Sequence, residues 1–281
     1  MPDAIAKYAY YFTSIGQLLT GLENPLQTVG IFLNITQPGV KQVRLRKQGL
    51  TFSVRTAMDV WSVKEAFIDR FYETYGTPVG DGWTVIDIGG GLGEFTLFAA
   101  VGHPNNRVLA FEPFGQSYQL LVENVRKSGV VNVDAINEAV SSRTGSLVLA
   151  SSAGEPLQFQ SGRNLEEAKG ETVPAISLED LFARHSIETC DLLKLDCEGA
   201  EYDILFNAPD TILQRIYRMV MEYHDGVTAH THDELRAFLN DKGFQTRVTP
   251  NVVHDDLGYL YAYRPQSGEP KPDDVKGMKH T

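Results

Sequence analysis

Hydrophobic positions along this chain change their period several times, and each change marks an element. Residues 4–20 (AIAKYAYYFTSIGQLLT) place apolar side chains at helical spacing, and a second apolar piece follows over residues 28–35. Gln42–Arg46 and Leu50–Arg55 flank Gln48-Gly49 in the pattern of a β-hairpin. Ser62 to Tyr75 predicts a helix. Short apolar runs then alternate with helical patterns. Strands are expected over Val85–Ile88, Val108–Phe111, Val131–Val140, Asp191–Asp196 and Tyr217–His224. Helices are expected over Glu94–Val101, Ser117–Lys127, Ser177–His185 and Tyr202–Ile216. This alternation implies a mainly parallel sheet with helices on both faces. Gly129 stands where a left-handed residue closes a helix. Ser177 with acids behind it reads as an N-cap, and Thr231 with Glu234 as a capping box for a helix ending at Gly243. Ser146–Ala150 adds a short strand, and Gln245–Val248 and Tyr259–Tyr263, joined by a turn, should pair antiparallel. Residues 151–172 form a polar excursion that either folds over a ligand or stays mobile, and 265–281 lacks the apolar content to fold. The expected organisation is an extension over 1–60, an α/β domain over 61–264 and a disordered tail over 265–281.

Composition narrows the function classes. Hydrophobic content of 42% and charged content of 22% are ordinary for a globular protein. A net charge of −11 argues against a nucleic-acid partner, because phosphate contacts need clustered Lys and Arg. The densest basic stretch, Lys41 to Lys47, alternates charge with apolar residues as the solvent face of a strand does. No window approaches the length of a membrane span, and the N-terminus lacks the pattern of a secretory signal. Cys190 and Cys197 lack zinc-ligand spacing, which suits a reducing compartment; the expectation is a cytoplasmic protein. Tyr8, Tyr10, Tyr11 and Phe12 read as core or subunit-contact aromatics, which is compatible with a homo-oligomer.

Thr84 to Pro113 carries the most chemistry. A buried strand ends near Asp87, glycines follow at 89, 90, 91 and 93, a helix opens, and the next strand ends on Glu112, 19 residues after Gly93. Strand, glycine turn, helix, strand and terminal acid make a nucleoside-binding βαβ unit in which the acid accepts from ribose hydroxyls. The glycines do not give the G-x-G-x-x-G that seats a pyrophosphate. An Asp two residues before the first glycine favours a ligand with a cationic end, so S-adenosylmethionine fits better than NAD. Five parallel strands with a terminal hairpin that reverses one strand make the seven-stranded sheet of Rossmann-like class I methyltransferases, here with an N-terminal helix and β-hairpin extension.

A second constellation lies at Leu192 to Glu201 (LLKLDCEGAE), where a buried strand delivers Asp196 and Glu198 at its C-terminal end. Carboxylates there are costly without a cation or donor to meet. Lys194, on the same side of the strand as Asp196, is the bland partner. Glu201 in the first turn of the next helix suits the helix dipole. Glu222 and His224 point the same way at the end of the fifth strand, toward the same rim. His230 and His232 read as solvated loop or capping residues.

With these motifs in view, the chain resembles the FkbM-type methyltransferases. The resemblance rests on Asp87-Ile-Gly89-Gly-Gly-Leu-Gly93, Phe111-Glu112-Pro113, Asn137-Glu-Ala139-Val140, Lys194-Leu-Asp196-Cys-Glu198-Gly199-Ala-Glu201 and Glu222-Tyr-His224, five motifs in order over about residues 82–225. Gly90-Gly91 is a departure, since many members carry Ala-Asn there. The resemblance implies S-adenosylmethionine-dependent O-methylation of a sugar, lipid or polyketide hydroxyl. It implies that Asp87 and Gly89, Gly91 and Gly93 hold the methionine end, Glu112 takes the ribose, Asn137 and Glu138 border the adenine, and Asp196 lies near the methyl. For catalysis, His224 is the expected general base, oriented by Glu222 or Asp196, with Glu198 as second candidate and no metal ligand assigned. One alternative is a Mg²⁺-assisted enzyme using Asp196, Glu198, Glu222 and His224. Another is a non-catalytic nucleoside-binding protein.

Overall fold

The computed structural model describes residues 4–33, 35–37, 39–150, 170–251 and 256–265, with side chains from residue 12 onward except residue 150. Of the excursion expected over 151–172, residues 151–169 lie outside the described residues and 170–172 open a strand; the tail from 266 and the side chains of Tyr8, Tyr10 and Tyr11 also lie outside them. The chain opens with α1 (Ala4–Gly21), α2 (Pro25–Phe32), β1 (Lys41–Arg44), β2 (Thr51–Val54), α3 (Ala57–Phe67) and α4 (Phe71–Thr74). Then come β3 (Thr84–Ile88), α5 (Glu94–Ala100), β4 (Arg107–Phe111), α6 (Gly115–Ser128) and β5 (Val133–Ile136). Next are β6 (Ala139–Ser141), β7 (Gly145–Ala150), β8 (Gly170–Ser177), α7 (Leu178–Arg184), β9 (Leu192–Leu195), α8 (Ala200–Phe206) and α9 (Asp210–Leu213). The chain closes with β10 (Arg218–His224), α10 (His232–Asp241), β11 (Gln245–Pro250) and β12 (Leu257–Tyr263).

The main sheet has seven strands in the order β11-β12-β10-β9-β3-β4-β5. Five pair parallel with one another, β11 runs the same way, and β12 lies antiparallel between β10 and β11, as the terminal hairpin predicts. Its central strands are covered on both faces, which is why they read as continuous apolar runs. Ile86, Ile88, Leu109 and Phe111 pack under Leu181, Phe182, Tyr202 and Leu205, whereas Val85, Val108 and Val220 pack against Phe95 and Ala99. The path runs from β3 out to β5 and returns to β9 on β3's other side. That reversal opens a crevice at the C-terminal ends of β3 and β9, where open α/β sheets bind ligands.

Several expected boundaries shift. The helix expected over Ser62–Tyr75 is two helices, because Arg70 sits at φ 54° and the Ile68 and Asp69 amides both donate to the Lys64 carbonyl. The strand expected over Val131–Val140 divides at Asn137. β5 stays on the main sheet, while β6 joins β7 and β8 in a separate three-stranded sheet. Pro209 lacks an N–H and ends the helix expected over Tyr202–Ile216, leaving α8 and α9. The capping box of Thr231 and Glu234 forms as expected.

The β1–β2 hairpin and α3 share a core with the α/β layer. Leu18, Leu22, Phe52, Val54, Val63 and Phe67 pack with Leu92, Leu97 and Leu120. The boundary expected near residue 60 therefore falls inside α3. Phe12 is 83% exposed, so the core reading fails for it: its place on α1 faces away from the Leu18–Leu22 stripe. No helix of the described residues is long and apolar enough to cross a membrane.

Candidate active site

The glycine loop between β3 and α5 folds tightly against the end of β9. Gly89 has φ 78°, and a Cβ there would lie 1.9 Å from the Asp196 carbonyl oxygen, so no other residue fits. The two motifs singled out in the sequence thus touch. Gly91 has φ 54°, and its amide donates to Glu112 Oε2 at 2.8 Å. The Phe114 amide donates to Glu112 Oε1 at 2.8 Å. Each carboxylate oxygen keeps a second lone-pair direction. Burial pushes the Glu112 carboxyl up to about 7.

Asp87 lies beneath the loop rather than in it. Its side chain is fully buried, accepting from Thr96 Oγ1 at 2.6 Å and facing Lys194 Nζ at 3.2 Å. The cation that Asp87 meets in this structure is therefore Lys194. Lys194 also donates to the Gly89 carbonyl at 2.6 Å and stands 3.8 Å from Asp196 Oδ2. Burial alone would lower the Lys194 pKa, but the acids around it, Asp87 foremost, hold it above its ordinary value. The acid beside the loop is Glu94, in the first turn of α5. Its Oε2 is buried without a hydrogen-bond partner, next to Gly91, and burial lifts its pKa to about 8. The sequence reading missed Glu94, although an acid directly after the last loop glycine was a visible signal.

Asn137 and Glu138 bond within the protein. Asn137 Nδ2 donates to the carbonyls of Glu112 and Pro113 at 2.8 and 3.1 Å, which turns the chain off the main sheet, and Glu138 accepts from Arg184 Nη1 at 2.6 Å.

The ends of β9 and β10 bring the remaining acids together. Donor atoms of Asp196, Glu222 and His224 all lie within 4.8 Å of one another. His224 Nε2 is 3.4 Å from Glu198 Oε2, and its Nδ1 is 3.5 Å from Glu201 Oε1. Glu198 holds a left-handed φ of 55°, a strained conformation of the kind found at functional sites. Glu201 does more than suit the helix dipole: it is fully buried, and its oxygens accept from the Cys197 and Gly199 amides at 2.8 Å each. Burial alone would lower the His224 pKa, yet Glu201, Asp196 and Glu198 raise it to about 10. The near-neutral pKa expected of His224 is thus not what its surroundings favour, because three acids face it. Glu222 is pushed well above the ordinary carboxylate range by burial first and then by Asp196.

The extension also reaches this rim, which the sequence did not signal. Glu65 on α3 accepts from Trp61 Nε1 at 2.8 Å, and burial first, with added repulsion from Asp196, lifts its pKa to about 7. The Tyr72 hydroxyl is raised well above its ordinary value by burial and then by Asp196, and Lys194 Nζ lies 5.9 Å from its ring. Asp225, next to the rim, meets His232 Nδ1 at 2.6 Å, so His232 is a paired side chain rather than a solvated one.

The sequence profile of the family described as "Methyltransferase FkbM domain" matches residues 87–246. Among curated proteins, the chain is 27% identical over 246 residues to the AMB antimetabolite synthetase AmbE of Pseudomonas aeruginosa, covering 73% of this chain but spanning only 12% of that protein. It is 28% identical over 214 residues to the 31-O-demethyl-FK506 methyltransferase FkbM of Streptomyces tacrolimicus, covering 66% of this chain and 82% of that one. A solved structure of methyltransferase FkbM from Methylobacillus flagellatus matches with a TM-score of 0.46 at 13% identity, covering 74% of this chain and 54% of that chain.

Proposed function

The chain belongs to the FkbM methyltransferase family, and on that premise we propose that it methylates a hydroxyl oxygen of a sugar, lipid or polyketide-type acceptor, using S-adenosylmethionine. The observation that carries this reading is the contact between the glycine loop and the end of β9. A ligand held by the loop presents its far end to Asp196, Glu198, Glu222 and His224. The residues fit S-adenosylmethionine: Glu94 Oε2 is buried and unpartnered beside Gly91, suited to a ligand ammonium, and Glu112 keeps acceptor capacity for ribose hydroxyls. The name of the Streptomyces tacrolimicus relative, a 31-O-demethyl-FK506 methyltransferase, supports an oxygen acceptor.

Bound S-adenosylmethionine supplies a methyl group already activated by its sulfonium, and the C–S electron pair returns to sulfur as the new C–O bond forms. The protein aligns the oxygen and excludes water, a contribution of about 7–11 kcal/mol at best. Glu198 takes the hydroxyl proton on its carboxylate, a step worth about 10²–10⁴-fold. His224, 3.4 Å from Glu198, orients that carboxylate. Glu65 and Tyr72, from outside the matched family region, border the acceptor side of the rim.

Calorimetric titration with S-adenosylmethionine, with NAD⁺ as control, tests the cofactor, and Glu112→Ala should weaken the first markedly. Glu198→Gln should keep cofactor affinity and lower turnover by about 10²–10⁴-fold. Preferential NAD⁺ binding, or full activity in Glu198→Gln, would sink the corresponding part. Tight S-adenosylmethionine binding with no product from any hydroxylated acceptor would favour the non-catalytic reading.

A further inference from the structure

Asp196 closes β9, and Glu222 and His224 lie two residues apart on the neighbouring parallel strand β10, so adjacent strand ends deliver two carboxylates and an imidazole to one place. One donor atom from each lies within 4.8 Å of the other two. First-row ions hold such donors at about 2.0–2.2 Å, a closure that side-chain rotation at the strand ends can supply.

A second observation concerns His224. Its residue exposure is 5%, and its Nδ1 is buried without a hydrogen-bond partner. Behind that nitrogen, at 3.5 Å, stands Glu201, fixed in place by two backbone amides. A carboxylate set behind one ring nitrogen, leaving the other to face open carboxylates, is how proteins hold a metal-bound histidine. The buried cation nearby is shared between Asp196 and other partners. Lys194 bonds the Gly89 carbonyl and sits closer to Asp87, 3.2 Å away, than to Asp196, 3.8 Å away.

We propose that Asp196, Glu222 and His224 bind one divalent first-row cation of the Mn²⁺ type. The mixed donor set decides the class: imidazole draws transition ions, whereas carboxylates suit harder ones, and Mn²⁺ accepts both. Three protein donors leave coordination positions open, and the acceptor hydroxyl occupies one of them. This use of the ion rests on the methyl-transfer reading above; the binding itself does not. Glu198 stays outside the donor set and keeps its role as proton acceptor.

The test is direct binding. Chelator-treated full-length protein is titrated with Mn²⁺ and the free ion is followed by electron paramagnetic resonance. Pulsed measurements on the bound ion then seek nitrogen coupling from imidazole. Expected are a single ion per chain, nitrogen coupling that disappears in His224→Ala, and affinity at least about tenfold weaker in Glu222→Gln and in Asp196→Asn. S-adenosylmethionine titration and circular dichroism of each variant report whether it is folded, and two independent carboxylate variants guard against one that is not. Absence of stoichiometric binding, absence of nitrogen coupling, or an affinity unchanged in both carboxylate variants overturns the proposal. A protein that binds S-adenosylmethionine but not Mn²⁺ loses only this inference; one that binds Mn²⁺ but not S-adenosylmethionine loses only the methyl-transfer reading.

Discussion

Glu201 shows how one side chain shapes this rim. Its two oxygens hold the Cys197 and Gly199 amides through the turn that places Glu198 at positive φ, and the same carboxylate faces His224. Glu201→Ala would leave two buried donors unsatisfied beside a histidine deprived of the acid that faces its Nδ1. A loss of about 2–4 kcal/mol in urea unfolding is expected, with a smaller loss for Glu201→Gln, which keeps one acceptor oxygen. Equal stability of the alanine variant and the parent would mean that the turn is held by other contacts.

Among the elements, one residue of α6 adds a buried hydrogen-bonded tie to the apolar core that joins the extension to the α/β layer. Asn124 Oδ1 accepts from the Ser53 amide at 2.7 Å, and its Nδ2 donates to the carbonyls of Ser53 at 3.3 Å and Leu92 at 2.8 Å. The glycine loop, α6 and the β1–β2 hairpin are thereby joined in a buried place. Asn124→Ala is expected to cost about 2–4 kcal/mol and to speed proteolytic cleavage before residue 57, read by mass analysis of limited digests. Unchanged digestion of that region would show that the apolar core around Phe52 and Leu120 is sufficient alone. Helix ends that depend on such contacts were poorly legible in the sequence. The departure of β6 from the main sheet follows from partners distant in sequence, the break at Arg70 from backbone bonds to the nearby Lys64 carbonyl, and the stop at Pro209 from a residue that was readable locally.

The whole molecule gathers acids around one crevice, and that sets its response to pH. Glu65, Glu94 and Glu112 are raised from 4.5 to about 7, 8 and 7, and His224 from 6.5 to about 10. Each folded value lies above its unfolded one, so each contribution to stability is complete below the unfolded value and lost as pH rises through the folded one. The cofactor-free protein should therefore melt at progressively lower temperature as pH is raised from about 6 to about 9, and Glu94→Gln should flatten that slope. A melting temperature that is level or climbs over this interval would contradict the burial of these groups. The sequence by itself determined the alternation of strands and helices, the antiparallel terminal hairpin, the glycine loop and the acids at the strand ends. Those features are written in local periodicity and in backbone needs that only glycine meets. Only the tertiary structure decided that Asp87 is spent on Lys194, that the Glu94 carboxylate is buried without a partner, that three acids surround His224, and that Glu65 and Tyr72 reach the rim. Burial and the sum of neighbouring charges fix those properties, and both depend on residues brought close from far along the chain.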